Sequence, residues 1–215
     1  MNRARIGIVT GLQAEAKWLD RAGFMVKAGG GSPNGASEAA NTLVAAGAQA
    51  LISFGLAGGL KPGLKPGTLL VPSAVIYGTR TFPCDYRLME FLGGSTSETI
   101  LAGQKIAAST QDKSLLYQRS HPAAIDLESG AVAEVAKMHK LQFAVLRAVA
   151  DSAERNLPPA ALVALKDDGR LDIPSLISSI ASRPWQIPAL IAVGRDAKAA
   201  RKALMERVAK LPPRL

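Results

Sequence analysis

Aromatic residues are scarce in this chain: five Phe, three Tyr and two Trp among 215 residues. A core built on ring stacking is thereby excluded, and an aliphatic one is expected. The single cysteine, Cys84, can form no internal disulfide, which fits a reducing, cytoplasmic compartment. No run of about 18 apolar residues occurs, so no membrane-spanning helix is predicted. The opening MNRARIGIVTGLQAEA lacks the apolar core of a signal peptide. Two histidines, His121 and His139, share no ligand spacing with Cys84, which argues against a metal site.

What is present suits one α/β domain over residues 1–215, with a central mixed β-sheet flanked by helices. RIGIVT, FMVKA, ALISF, LLVPSAVIY, Ala123 to Asp126 and QFAVLRAVA read as strands. They are continuous apolar runs more than alternating ones, the pattern of a sheet covered on both faces. Helices are expected at Gln13 to Ala22, Ala36 to Ala46 and Glu128 to His139, with two more between Pro158 and Ser182. GLAGGL, residues 55 to 60, is expected to break its strand sharply, GGGSPNG to be loop, and Ile106 to mark a short strand.

Charge is lopsided. The net charge is +9, and from Arg195 onward seven basic residues meet two acids. A basic helix of about 188–211 carries Leu190, Val193, Ala197, Ala200, Leu204, Val208 and Leu211 at helical spacing. That stripe either packs on the core or meets an anionic membrane surface peripherally. The helix has no interleaved aromatics, which argues against nucleic acid as a partner.

Three acids follow predicted strands, where open α/β sheets place their ligands: Glu15, Glu128 and Asp151. Each is also explicable as a helix-capping acid, Asp151 above all. The glycines of GLAGGL allow the backbone to approach a ligand closely, but the spacing is neither a dinucleotide fingerprint nor a P-loop. Ser53 lacks the G-x-S-x-G surroundings of a hydrolase nucleophile. Gly30 and Gly31, in GGGSPNG, offer amides to an anion, and Arg80 and Arg147 are cations that would join them.

In order, IGIVTGLQAEA, SFGLAGGL, AIDLESGAVAEVA and VLRAVADSA resemble the motif set of the nucleoside phosphorylase and methylthioadenosine/S-adenosylhomocysteine nucleosidase superfamily. The tail from NLPPAALVALKDDG onward resembles the hopanoid-associated phosphorylases, which are thought to remove adenine from adenosylhopane. The resemblance implies cleavage of a purine–ribose bond without a cofactor, inorganic phosphate being a co-substrate in the phosphorylases. Glu15 falls at the acid that activates water in the nucleosidases. Glu128 falls at the acid that binds the ribose hydroxyls, with Leu127 under the sugar. Asp151 falls at the acid that protonates purine N7. Gly55, Leu56, Ala57 and Gly58 fall at the substrate-binding turn. Leu56 stands where nucleosidases hold Ser, Ala150 where they hold the Ser before the acid, and Gly67 where larger phosphorylases hold a phosphate Arg. The segment from Gly103 to His121 is shorter than in relatives, and no base-stacking aromatic is identifiable there.

Phosphorolysis is the expected reaction, on the resemblance of the tail alone; hydrolysis, with Glu15 activating water, is the alternative. A nucleoside- or lipid-binding protein without turnover is the alternative to an enzyme. The resemblance also implies a homodimer or larger homo-oligomer, for which the aromatic-rich stretch from Tyr77 to Phe91 is the expected contact.

Overall fold

The computed structural model describes residues 1–162 and 172–215, apart from the side chains of residues 14 and 173. The apolar runs become strands β1 (Ile6–Thr10), β2 (Met25–Ala28), β3 (Ala50–Gly59), β4 (Leu69–Leu70), β5 (Ala74–Tyr77), β6 (Arg80–Pro83), β7 (Thr99–Ala102), β8 (Ala124–Asp126) and β9 (Gln142–Asp151). Between and after them run helices α1 (Gln13–Arg21), α2 (Pro33–Ala45), α3 (Tyr86–Phe91), α4 (Thr110–Ser120), α5 (Ser129–Met138), α6 (Pro159–Leu162), α7 (Ile173–Ser182) and α8 (Ile187–Ala209). Of the two helices expected between Pro158 and Ser182, α6 and α7 are the described parts; residues 163–171 lie outside the described residues.

One mixed sheet in the order β2-β1-β3-β8-β7-β5-β6 forms the centre, with β9 added to β3 and β4 to β9. The strand β3 organises it. Its residues pair in parallel with β9 from Ala50 to Gly58. Its other edge changes partner: β1 pairs in parallel with Ala50 to Phe54, and β8 pairs antiparallel with Gly58 and Gly59. Between Phe54 and Gly58 that edge is released, and the sheet forks.

This corrects the expectation that GLAGGL ends the strand. Glycine is a poor strand former, but here ladder partners beyond Phe54 hold the backbone extended to Gly59. Three other expectations shift. The stretch LLVPSAVIY splits into β4 and β5, which pair with different strands. Ile106 is exposed and lies in no strand. The second half of GGGSPNG is the first turn of α2: Ser32 Oγ accepts the Gly35 amide at 3.2 Å and Pro33 opens the helix, where its missing N–H costs nothing.

Side chains of β3 alternate between the two faces, as a pleated strand requires. Ser53 Oγ lies 3.1 Å from Ser129 Oγ of α5, whereas Phe54 meets Trp18 of α1 on the other face. The helix α8 packs across β9 and β3. Its lower stripe, Ala200, Leu204, Val208 and then Leu211, is buried in the main core. That half of the stripe packs on the core, while Leu190, Val193 and Ala197 are half-buried. In the aromatic-rich stretch Phe82 and Phe91 are buried, Tyr77 is half-buried and Tyr86 is exposed.

Because Leu204 is 2% exposed against the sheet, Leu204→Ala is expected to cost about 2–5 kcal/mol by urea denaturation, a loss below about 1 kcal/mol meaning that the stripe is not packed.

Candidate active site

A cavity of about 370 Å³ opens where the sheet forks. Its size is that of a small-molecule site. A larger cleft of about 580 Å³ lies beside Met1 and Leu215 and touches none of the three acids. The fork explains the location of the smaller one. The end of β1 gives Gly11 and Leu12, the released edge of β3 gives Leu56, Ala57 and Gly58, and the end of β8 gives Asp126, Leu127 and Glu128. On the far side β9 gives Arg147, Ala150 and Asp151. There β9 holds one extra residue: Ala57 faces Val149, but Gly58 faces Asp151. Bulges of this kind re-aim side chains and recur beside functional sites. Helices α6 and α8 close the mouth with Ala161, Val193 and Ala197.

All three sequence-predicted acids line this cavity, each in a different electrostatic setting. Glu15 sits in the first turn of α1 and is 6% exposed. Its Oε1 has no hydrogen-bond partner among the described residues. Burial pushes its carboxyl up to about 7; the Arg147 charge opposes this and the Glu128 charge adds to it.

Glu128 is anchored. Its Oε2 accepts from Arg147 Nη2 at 2.9 Å. Burial raises its pKa and the Arg147 charge works against that, while Asp126 adds to the rise. Arg147 is 1% exposed and reaches four groups beside Glu128: Asp126 Oδ2 lies 2.8 Å from its Nε, Ser53 Oγ 2.7 Å and Ser129 Oγ 3.3 Å from Nη2, and the Leu56 carbonyl 3.4 Å from Nη1. Asp126 in turn accepts the amides of Glu128 and Ser129 through Oδ1, at 3.1 and 2.9 Å, and so starts α5. Glycines make room for the cluster. A Cβ on Gly55 would lie 2.7 Å from Arg147 Nη1, and one on Gly11 2.6 Å from Glu128 Oε1.

Asp151 is paired differently. Its Oδ2 accepts from the ammonium of Lys113, a fully buried lysine of α4. Burial raises the Asp151 pKa, and the Lys113 charge pulls it down.

The phosphate candidates separate. Gly31 lines the cavity; Gly30 does not, although both adopt φ of 73°. Arg80 is not a site residue of this cavity. It lies on β6, the edge strand at the far end of the sheet, where it pairs with Glu134 and stacks over Phe82. Of the two arginines, Arg147 is the one that reaches the cavity, where it pairs with Glu128. Lys105 is exposed on the cavity lining. Among the described residues the lining contains no aromatic side chain, and no group of His, Cys, Asp and Glu is placed to hold a metal ion.

Sequence reasoning missed Asp126 and Lys113. Asp126 carried a signal, since an acid two residues before another at a strand end suits a turn that caps the next helix. Lys113 carried none: a lysine on a polar helix reads as a solvated charge.

Residues 17–92 match the family model described as the phosphorylase superfamily. No curated protein matches the chain in sequence. The fold, a single α/β domain with a central mixed sheet between helices, is shared with solved nucleosidases. A 5'-methylthioadenosine/S-adenosylhomocysteine nucleosidase of Helicobacter pylori is 16% identical, with 98% of this chain and 100% of that one covered at a TM-score of 0.68. The S-adenosylhomocysteine nucleosidase of Streptococcus pyogenes is 17% identical, with 96% and 97% covered at 0.66. The futalosine hydrolase of Helicobacter pylori is 16% identical, with the same coverages at 0.66.

The Glu15 environment has a measurable consequence. A carboxyl whose pKa is 7 when folded and 4.5 when unfolded favours folding most below 4.5 and loses that contribution as pH rises to 7. Glu15→Gln is therefore expected to gain about 3 kcal/mol of stability relative to the parent between about pH 4 and about pH 8, read from urea midpoints. An unchanged difference across that range would mean that Glu15 titrates normally.

Proposed function

We propose that this chain cleaves the N-glycosidic bond of a purine nucleoside, with water as nucleophile, Glu15 as general base and Asp151 as general acid. The observation that carries the reading is the position of three buried carboxylates around one cavity. One has a carboxylate oxygen without a hydrogen-bond partner among the described residues and a pKa near neutrality, one is fixed by an arginine, and one is fixed by a lysine.

The chemistry follows from where charge develops. As the C1'–N9 bond breaks, the ribose becomes cationic and the purine anionic. Glu15 takes a proton from water, whose oxygen bonds to C1'. A base with a pKa near the working pH does this best. Glu128, held by Arg147, accepts hydrogen bonds from the ribose hydroxyls and stabilises the cationic ring, more in the transition state than in the substrate. Asp151 donates a proton to N7 as the base departs. Among the described residues, the walls on which the purine would rest are aliphatic, with Ile125, Ile106 and Leu157.

Water is favoured by charge. Glu15, Asp126 and Glu128 surround a single guanidinium that is already engaged, so a phosphate dianion would meet repulsion there. Phosphorolysis remains the second reading. It is supported by Gly31, which brings backbone beside the N-terminus of α2 to the cavity, a place suited to an anion.

For the substrate we propose a nucleoside with an apolar 5' substituent, adenosylhopane being the candidate that the tail suggests. The mouth supports this: Leu157, Ala161, Val193 and Ala197 line it, and α8 exposes Ile187 and Ile191 near its start. No helix among the described residues is long and apolar enough to cross a membrane.

Incubation with adenosylhopane or methylthioadenosine is expected to release adenine and free sugar equally with and without phosphate. Release only with phosphate, accompanied by a sugar 1-phosphate, would replace water by phosphate and remove Glu15 as base. Asp151→Asn is expected to lower kcat by about 10²–10⁴-fold with the fold unchanged by circular dichroism. Full activity of that variant would remove Asp151 from the mechanism.

A further inference from the structure

The ammonium of Lys113 is 0% exposed, and its surroundings account for all three of its protons. One goes to Asp151 Oδ2, one to the Ser152 carbonyl at 2.8 Å and one to the Arg155 carbonyl at 2.9 Å. A buried lysine is tolerated only when its charge is paired and its donors are satisfied, and this one meets both conditions. It has no proton left for a ligand, so it can act on the reaction only through Asp151.

The support around Lys113 is built for this position. Ser109 Oγ accepts the Asp112 amide at 3.0 Å and starts α4. The Thr110 amide donates to Asn156 Oδ1 at 2.7 Å, and the Leu157 amide to the Ala108 carbonyl at 2.8 Å. The start of α4 is thus stitched to the segment that follows Asp151, and Lys113 is carried to its partner by a fixed frame. The residue beside the acid, Ala150, has no hydroxyl to offer it.

We propose that Lys113 is the positioning residue of the general acid, fixing Asp151 through Oδ2 and leaving Oδ1 to meet the purine. The proposal rests on the reading of Asp151 as the acid and adds to it a counter-ion from a different element. Two effects act together. The carboxyl is held in one orientation, and its affinity for a proton is restrained against burial. The other charged groups near Asp151 are already committed. Arg155 pairs with Asp196 of α8 at 3.1 Å, and Glu154 accepts the Gly63 amide at 2.8 Å.

The sign of the effect is fixed. A general acid works while protonated, so the alkaline limb of kcat/KM follows its pKa. Removing the Lys113 charge raises that pKa and moves the limb to higher pH, while loss of orientation lowers the maximum rate. The test compares Lys113→Met and Lys113→Arg with the parent, following the Asp151 carboxyl by ¹³C NMR titration and adenine release across pH. Lys113→Met is expected to shift the NMR midpoint and the alkaline limb upward together and to reduce the maximum rate by about 10²-fold. Lys113→Arg is expected to restore the midpoint. Should neither variant fold, the ¹⁵Nζ resonance of Lys113 in the parent is expected to show a step at the Asp151 midpoint that Asp151→Asn abolishes. An unmoved midpoint in Lys113→Met, or a lysine resonance blind to Asp151, overturns the proposal. A midpoint that moves in a protein releasing no adenine leaves Lys113 as the counter-ion of Asp151 and instead removes the glycosidase reading.

Discussion

The buried guanidinium of Arg147 is the interaction on which the site depends. It projects from β9, passes the place where a Cβ of Gly55 would stand, and binds acids on the turn between β8 and α5. Three elements distant in sequence are thereby fixed relative to one another. Burying this charge is costly, and the pairing offsets the cost only because nearly every partner is itself held. Asp126 is held by the amides of α5, Ser129 by Asp126, and Ser53 by the ladder of β3. The cluster defines the shape of the cavity's polar end as much as its charge.

Burial alone would make the three carboxylates alike, and it is their partners that differentiate them. Burial is the largest influence on each, raising its pKa. Glu128 has a guanidinium at hydrogen-bond distance and Asp151 an ammonium. Glu15 has no cation at hydrogen-bond distance; the fields of Arg147 and Arg201 and a backbone hydrogen bond at Leu12 oppose its burial. Three buried carboxylates with different affinities for a proton therefore coexist in one small cavity.

Much of this was legible in the amino-acid sequence. Continuous apolar runs reveal a covered parallel ladder, because strands buried on both faces leave no polar side to alternate. Acids placed directly after such runs reveal the site, because the sheet delivers strand ends to one region. What escaped detection depends on tertiary pairing. Gly55 to Gly59 remain strand because β8 and β9 hold them, which local propensity does not encode. Arg80 resembled an anion-binding cation in sequence, but strand order carries β6 to the opposite edge. Lys113 shows no sign of burial in its neighbours along α4, because its acceptors come from a segment some forty residues away.

The fork in the sheet also separates two kinds of evolutionary freedom. The polar end of the cavity is made mostly of residues at the ends of paired strands, joined by Glu15 of α1, whose buried side chains hold one another through Arg147 and Lys113. The mouth is made of helix side chains from α6 and α8, whose replacement leaves every ladder intact. The lining of the mouth can thus change while the polar end stays as it is, and divergence among relatives of this chain should collect in the helices and spare the strands.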